Sequence, residues 1–446
     1  MIKKTILLIS LFIFLPSGIF AWSDHNLGVL AALEVMPEIR DAKAVRVEKL
    51  ESFLQAEEKG IEDALAKEEE WARKNIPEYA SRPTNIAFKA TGNSNDIRER
   101  FLHAIRVNPE VKLALFTVFP PGCKADCKKI PYDDVASTVD DITATKLTYC
   151  GLESGDIIAP IDVIASASNE PDFEIDIGLW KDNGNPTGRL YGFGRQPFGN
   201  PKLAYTTRTP FHMGFYHESQ VVYLLAPFLK RTYPEYRIHL YQALSRFAFK
   251  TGHPYWGYRF MGLGIHYVED LTQPYHTTPL PGSHALGLIW INLQDILGSH
   301  KAKSDAIQLV SNRHLALEDF ERTIIRRAYQ DREKNNPLLS ALIRTNRDSS
   351  YGSFTDMYPI TVVSKESHAK AKDLDAALRK WMPEKFVNDP DYNVDPAVRE
   401  ENVYGELIKI HPEAVAPLTN MLADLFESFG AHSRNYVRSI KGNGAN

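Results

Sequence analysis

The chain is poor in cysteine, in net positive charge and in long apolar runs. Its 446 residues include three cysteines, too few to staple a protein of this size, so stability must come from a hydrophobic core. The 52 basic residues are outnumbered by 56 acidic ones, and a net charge of −4 provides no bulk cationic field for nucleic acid or an anionic membrane. No Gly-x-Ser-x-Gly element is present, which argues against a serine hydrolase of the α/β type.

The first 21 residues have the layout of an export signal. Lys3 and Lys4 precede the apolar run Thr5–Leu15, and small residues lead to Ala21. The run is shorter than the roughly 20 residues that span a bilayer, so a retained anchor is the less favoured alternative. We therefore expect a signal peptide over residues 1–21 and a secreted or periplasmic protein. The mature chain would begin at Trp22 and carry 50 basic and 56 acidic residues, a net charge of −6.

An oxidising destination permits one disulfide among the three cysteines. Cys123, Cys127 and Cys150 would then leave one thiol over, and the short loop between Cys123 and Cys127 is one candidate bridge. A metal site built on these cysteines is disfavoured, because no histidine lies close to them in the sequence.

Apolar periodicity predicts a mainly α-helical fold. A content of 43% hydrophobic and 24% charged residues excludes a wholly disordered chain. Strand signals are short, at Lys112–Val118 and Ile157–Ile164, and no solenoid or propeller repeat occurs. We expect one large helical domain, with helices at Val47–Trp71, in two stretches of Ser219–Lys250 broken around Pro234, and at Tyr255–Asp270, Asp305–Asp331 and Val415–Phe429.

Histidines and carboxylates recur at helical spacing in the third quarter of the chain. His266 and Asp270 are four residues apart, so both side chains leave the same face of a helix. His276 follows shortly after, and His314 and Glu318 repeat the spacing. Imidazole and carboxylate ligands suit zinc. Each pair alone is also typical of a surface ion pair, but together the three elements favour a metal site.

The stretch at 261–276, Met-Gly-Leu-Gly-Ile-His-Tyr-Val-Glu-Asp-Leu-Thr-Gln-Pro-Tyr-His, resembles the core of the bacterial zinc-dependent phospholipase C family. There a His-x3-Asp helix runs into Gln-Pro-x-His, a pattern shared more loosely by the fungal-type zinc nucleases. A second match is the mature start Trp22-Ser23, because members of both groups use the terminal tryptophan's amino nitrogen and carbonyl oxygen as metal ligands. His314-x3-Glu318 is a third match. The resemblance is close over about 205–325 and at Trp22.

The resemblance implies a multi-helix phospholipase C or zinc nuclease-like domain over 22–446 that binds three zinc ions. By this likeness His266 and Asp270 would bind the first zinc, with Asp270 bridging to a second held by the Trp22 terminus and His25. The third would be held by His276, His314 and Glu318. The first zinc would also take an upstream acid and a histidine. For these the likeness favours Asp172 over Asp176 and His212 over His217.

The spacing departs from that of compact family members. Asp172 lies 150 residues beyond Trp22, and His212 lies 40 further along. Residues of about 40–165 and 184–209 are therefore expected to be insertions in the catalytic domain.

The resemblance predicts an exported phospholipase C that cleaves glycerophospholipids, phosphatidylcholine in particular, at a membrane or micelle surface. Hydroxide on the metal would attack the phosphodiester, and Asp172 would act both as ligand and as acceptor of the water's proton. The aromatic residues Phe211, Phe215, Tyr216 and Tyr275 either line a wall for the quaternary ammonium or pack the core. No transmembrane segment is expected in the mature chain.

Two other functions fit the same residues. The first is a zinc nuclease or nucleotidase on the same scaffold, although its members usually begin Trp-Gly and the acidic balance disfavours stable nucleic acid binding. The second is an exported binding or structural protein whose histidine pairs are surface ion pairs.

Overall fold

The computed structural model confirms a mainly α-helical protein. It describes residues 22, 24–123, 125–137, 147–282, 290–291, 293–295, 297–333, 335–394 and 402–442. Helices hold 61% of these residues and strands 4%. The predicted signal peptide lies outside the described residues. Within the part of the chain that is described, no helix is both long and apolar enough to cross a membrane.

Eighteen α-helices are described over their full length. The first nine are α1 His25–Glu34, α2 Pro37–Arg40, α3 Leu50–Ala56, α4 Glu58–Asn75, α5 Ile97–Ile105, α6 Pro160–Ser168, α7 Pro186–Leu190, α8 Thr209–His212 and α9 Gln220–Leu225. The other nine are α10 Pro234–Lys250, α11 Pro254–Asp270, α12 Pro274–Thr277, α13 Lys301–Gln330, α14 Pro337–Leu342, α15 Lys365–Trp381, α16 Glu384–Val387, α17 Val403–Ile410 and α18 Val415–Lys441. One-turn π-helices occur at Pro171–Ile175 and Pro359–Ser364.

Helix α11 lies at the centre of the molecule, against α6, α10 and α18. Its residues from Tyr255 to Asp270 are all buried. Two glycines allow this close packing: a Cβ on Gly262 would lie 2.3 Å from the Ile164 carbonyl oxygen, and one on Gly264 would lie 1.9 Å from the Tyr436 hydroxyl. Polar side chains at the end of α11 are therefore held in a tightly packed interior.

Two hydrophobic cores meet at helix α1. One is built around α10 and α11, and it includes residues from the predicted 40–165 insertion such as Phe53 and Phe101. The other is built around α13, α15 and α18. Helix α1 is apolar on several sides, so Val29 and Leu33 enter the first core while Leu27 and Ala31 enter the second.

Five short strands form two small antiparallel sheets. β1 (Val45–Arg46) pairs with β5 (Ile157–Ile158), and β4 (Thr148–Gly151) lies between β2 (Phe116–Phe119) and β3 (Lys129–Ile130). The β3–β4 register places Cys150 opposite Lys129 and brings it to Cys127, with which it forms a disulfide. The candidate bridge between Cys123 and Cys127 is therefore wrong. Cys123 is the thiol left over, and it is exposed.

Three elements have bounds that differ from those predicted from the sequence. The strand expected at Ile157–Ile164 stops at Ile158 because Pro160 starts α6, where the missing N–H of proline has no cost. The strand expected at Lys112–Val118 begins only at Phe116, since Leu113 adopts a left-handed φ of 43°. The helix expected at Val47–Trp71 is two helices separated at Glu57.

Candidate metal centre

Six separate segments bring the sequence-predicted ligands to one place around the end of α11. They are α1 with His25, the π-helical turn with Asp172, α8 with His212, α11 with His266 and Asp270, α12 with His276, and α13 with His314 and Glu318. Every one of these side chains is almost fully buried except Asp172, which is 13% exposed. Asp172 therefore marks the side on which the cluster approaches solvent.

The ligands form three groups in which the candidate ligand atoms all lie within 4.8 Å of one another. The groups are His25, His266 and Asp270; Asp172, His212 and His266; and His276, His314 and Glu318. His266 belongs to the first two. Asp270 links the first to the third, because its Oδ1 lies 4.0 Å from His276 Nδ1. Each group could hold a metal ion, and the three are contiguous.

Buried atoms without a hydrogen-bond partner concentrate in this cluster. They include both carboxylate oxygens of Asp270, one oxygen of Glu318, and Nε2 of His25, His212, His276 and His314. A buried polar atom without a partner costs about 1–3 kcal/mol, and native proteins contain few of them. Imidazole nitrogens and carboxylate oxygens aimed at one another are the donor set that a divalent transition metal satisfies, so the residues fit such an ion.

The backbone fixes which ring nitrogen two of the histidines offer. His266 Nδ1 lies 2.7 Å from the Ser168 carbonyl oxygen, and His276 Nδ1 lies 2.8 Å from the His212 carbonyl oxygen. A carbonyl only accepts, so Nδ1 carries the proton in both rings. Each Nε2 is then left with a lone pair that points into the cluster, as a metal ligand requires.

Glu269 orients His25 and was not predicted from the sequence. Its Oε2 lies 2.7 Å from His25 Nδ1, and its Oε1 accepts a hydrogen bond from Ser433 at 3.0 Å. Burial raises the pKa of Glu269 well above its usual range, and burial followed by the charge of His266 lowers the pKa of His25. The short contact with Glu269 fixes the orientation of the ring, and Nε2 of His25 faces Asp270 at 3.5 Å.

Trp22 is buried beside the same residues. Its indole N–H donates to the Glu269 carbonyl oxygen at 3.1 Å and to the Thr272 hydroxyl at 2.8 Å. The ring packs edge-on against Phe426 of α18. These contacts anchor the expected mature terminus next to His25.

Asp176, the alternative to Asp172, lies outside the three groups and supports His212 instead. Its carboxylate binds the guanidinium of Arg237 and accepts a 2.6 Å hydrogen bond from Tyr267, and its Oδ2 lies 3.4 Å from His212 Nε2. His212 Nδ1 faces Asp270 at 2.9 Å. A carboxylate behind a histidine fixes the ring orientation and increases its basicity.

Charges within the cluster act in two ways. Against the effect of burial, the Asp270 and Asp176 carboxylates raise the pKa of His212 to about 9. Burial disfavours charge on the third group: it lowers the pKa of His314 and raises that of Glu318, both strongly. His314 Nε2 and Glu318 Oε1 nevertheless lie 2.7 Å apart without hydrogen-bond geometry. A divalent cation would add to the positive charge that Arg322 already places near this carboxylate.

His217, the alternative to His212, lies outside the three groups. Its Nε2 contacts the Ile360 carbonyl oxygen and the Ser364 hydroxyl. Phe211 packs against Trp180 in an aromatic cluster, as the core-packing alternative expected, and does not line a headgroup wall.

Arg208, a residue that the sequence did not single out, places a buried guanidinium 3.6 Å from Asp172 Oδ1. Its contact with Asp172 joins residues 36 apart in the chain, although Arg208 stands four residues before His212.

Comparison of the chain with protein-family models, with curated proteins and with solved structures finds no match.

Proposed function

We propose that the protein is an exported zinc-dependent phospholipase C that cleaves the phosphodiester of glycerophospholipids such as phosphatidylcholine. The observation that carries the proposal is the contiguity of the three histidine–carboxylate groups, in which the unpartnered atoms of His25 and Asp270 face each other, as do those of His314 and Glu318. An isolated surface ion pair would be exposed and would satisfy its own atoms. The alternative of surface ion pairs is thus disfavoured for His266, Asp270, His314 and Glu318, which are buried.

The donor set favours zinc among the divalent metals. Its ligands are neutral imidazoles and carboxylates, without the dominant oxygen shell that calcium and magnesium prefer. Held by these residues, zinc would supply positive charge for the phosphate oxygens and would lower the pKa of a water to about 7. The partly exposed Asp172 carboxylate would receive the proton of the attacking water, because among the proposed ligands it has the greatest access to solvent.

Arg208 would bind the phosphate beside Asp172, on the side where the cluster approaches solvent. Its guanidinium contacts Asp172 and is shielded from bulk water, so its charge acts at short range in a low dielectric. A planar guanidinium can donate two parallel hydrogen bonds to phosphate oxygens. It would thereby orient the phosphodiester toward Asp172 and offset charge that develops during displacement.

The test is an assay of the mature chain on two substrates with metal analysis. Release of phosphocholine from soluble dihexanoyl-phosphatidylcholine, lost on chelation and restored by zinc, would support the proposal. Hydrolysis of single-stranded DNA alone would establish the nuclease alternative instead. Absence of both activities and of bound metal would favour a binding or structural protein.

Two neighbouring histidines provide a matched pair of variants for this assay. His212→Ala should remove metal and activity, whereas His217→Ala, five residues along the chain and outside the three groups, should keep both. Equal losses in both variants would contradict the proposed ligand set.

An added residue before Trp22 tests the role of the terminus. If the amino nitrogen is a ligand, the extension should lower the zinc content while Trp22 keeps its indole contacts. Unchanged zinc content and activity would remove the terminus from the ligand set.

A further inference from the structure

The position of Asp172 depends on the π-helical turn Pro171–Ile175 that carries it. Its carboxylate oxygens lie 3.8 Å from His212 Nδ1, 3.8 Å from His266 Nε2 and 3.9 Å from His25 Nε2. These separations exceed the roughly 3.2 Å limit of an N–H···O hydrogen bond, so the three histidines do not fix the carboxylate. The contacts that hold the backbone of the turn therefore decide where Asp172 meets the histidines.

The N-terminal side of the turn is held by helix α11. Glu170 lies two residues before Asp172, which is about half a helical turn, so its side chain leaves the opposite side of the backbone. It is buried and accepts two hydrogen bonds from Arg259 on α11, from Nε at 3.1 Å and from Nη2 at 2.9 Å. Helix α11 also carries His266, so one rigid element holds both this ligand and the start of the turn.

The C-terminal side of the turn is held by the segment of about 40–165 that is predicted to be an insertion. Glu174 lies two residues after Asp172 and is fully buried. Its two carboxylate oxygens accept the backbone N–H groups of Lys112 at 2.8 Å and Leu113 at 3.1 Å. A carboxylate that accepts two adjacent backbone donors joins the turn to this segment in one defined geometry.

Asn108 of the same segment holds the turn at two more points. Its backbone N–H donates to the Ile175 carbonyl oxygen at 2.8 Å, and its side-chain amide donates to the Glu174 carbonyl oxygen at 3.0 Å. The ring of Phe173 packs edge-on against Tyr132, in the core of the three-stranded sheet. The segment thus determines the backbone position of the turn on one side of Asp172.

We propose that Glu174 is a positioning residue: through the backbone at 112–113 it holds the turn so that Asp172 reaches His212 and His266. The segment predicted to be an insertion then supports the metal centre as well as the hydrophobic core. This inference rests on the proposed function only in taking Asp172 as a metal ligand. It does not depend on which phosphodiester the protein cleaves.

The experiment compares Glu174→Gln with Glu58→Gln in the full mature chain. Glu174→Gln keeps the size of the side chain but turns an amide N–H group toward a backbone N–H group, so one of the two hydrogen bonds is lost. Glu58 is the matched control because, in the same segment, its oxygens accept the backbone N–H groups of Thr91 at 3.1 Å and Gly92 at 2.9 Å. None of the partners described for Glu58 lies in the turn.

Zinc affinity and ligand geometry are the two measurements. Competition with a chelator should show that Glu174→Gln binds one zinc ion about 10–100-fold more weakly, whereas Glu58→Gln binds zinc as the wild type does. Cobalt(II) bound in place of zinc should show altered visible absorption bands in Glu174→Gln alone, because these bands report the arrangement of the ligands. Asn108→Ala, which removes the side-chain bond to the Glu174 carbonyl oxygen, should change both measurements in the same direction.

The outcomes separate this inference from the proposed function. Unchanged zinc affinity and cobalt absorption in folded Glu174→Gln would overturn the inference, and Asn108→Ala decides by the same criteria if Glu174→Gln does not fold. Equal losses of affinity in Glu174→Gln and Glu58→Gln would also overturn it, because the effect would then come from the stability of the segment. If Glu174→Gln alone weakens zinc binding but the wild type hydrolyses neither phosphatidylcholine nor DNA, the proposed function fails and the positioning role stands. A wild type that binds no zinc would overturn both.

Discussion

The candidate metal centre and the Arg434 site both bury charged groups beside α1, but only one of them satisfies those groups by itself. On α18, Arg434 is held by Asp348 through two 2.8 Å hydrogen bonds and by the carbonyl oxygens of Ala32, Leu342 and Arg344. At the metal centre both oxygens of Asp270 lack a hydrogen-bond partner. Burial of charge therefore does not identify a binding site. Unpartnered atoms that converge do, because the protein leaves them for a ligand to satisfy.

The largest expected effect is at His266, which belongs to two of the three groups. His266→Ala should lower the metal content and reduce phosphodiesterase activity by more than about a thousandfold, above the 10²–10³ cost of losing one electrostatic stabiliser. The matched control is His432→Ala, an equally buried histidine whose nitrogens contact Tyr358 and Glu366. Metal analysis of the purified proteins decides: a full metal complement in His266→Ala would contradict the assignment.

The next largest effect is on stability at the Arg434 site. Asp348→Asn removes the charge that compensates a fully buried guanidinium, and breaking such a pair costs about 3–5 kcal/mol. Urea unfolding should show this loss, while the metal content of the folded fraction stays unchanged. Loss of metal from folded Asp348→Asn would show that the two sites are coupled through α1. The Arg434 site could then not serve as an independent comparison for the metal centre.

A smaller effect is expected at Glu269, which contacts His25 and is not itself in a ligand group. Glu269→Gln keeps the shape and the hydrogen-bonding capacity but removes the carboxylate, and loss of such an outer partner weakens metal binding by about 10–100-fold. Competition with a chelator measures the affinity. Ser433→Ala, which leaves Glu269 facing His25, should change it less. Unchanged metal affinity in Glu269→Gln would show that Glu269 packs beside His25 without supporting the metal site.

Local spacing explains which parts of the site could be predicted. His266, Asp270, His314 and Glu318 are visible because each pair is one helical turn apart, and the helices that carry them occur nearly as predicted. Asp172 and His212 follow no local pattern and were proposed from resemblance alone. Glu269 and Arg208 were missed, since the contact of Glu269 with His25 joins residues 244 apart in the chain.

In the fold, as in the site, features set by local spacing could be predicted and features set by tertiary contacts could not. Helical periodicity predicted the long helices, but the strand expected at Ile157–Ile164 ends at Ile158 because Pro160 starts a helix that an apolar run alone does not reveal. The break at Leu113 depends on Glu174, whose carboxylate accepts the backbone N–H groups of Lys112 and Leu113. Such a tertiary contact is absent from any local window of sequence.

The smallest expected effect is at Glu235. Its carboxylate is satisfied less fully than Arg434 and more fully than Asp270, because the hydroxyl of Tyr216 is a side-chain partner. Burial raises the pKa of Glu235 from 4.5 to about 7. Folding thus favours the protonated acid, so its contribution to stability is complete below pH 4.5 and is lost as the pH rises through 7. Between pH 5 and 7 the unfolding free energy of the metal-free protein should fall by about 1–2 kcal/mol on this account. Glu235→Gln should remove that part of the slope in urea titrations, and an unchanged slope would show that the Tyr216 hydroxyl stabilises the carboxylate as fully as Arg434 stabilises Asp348.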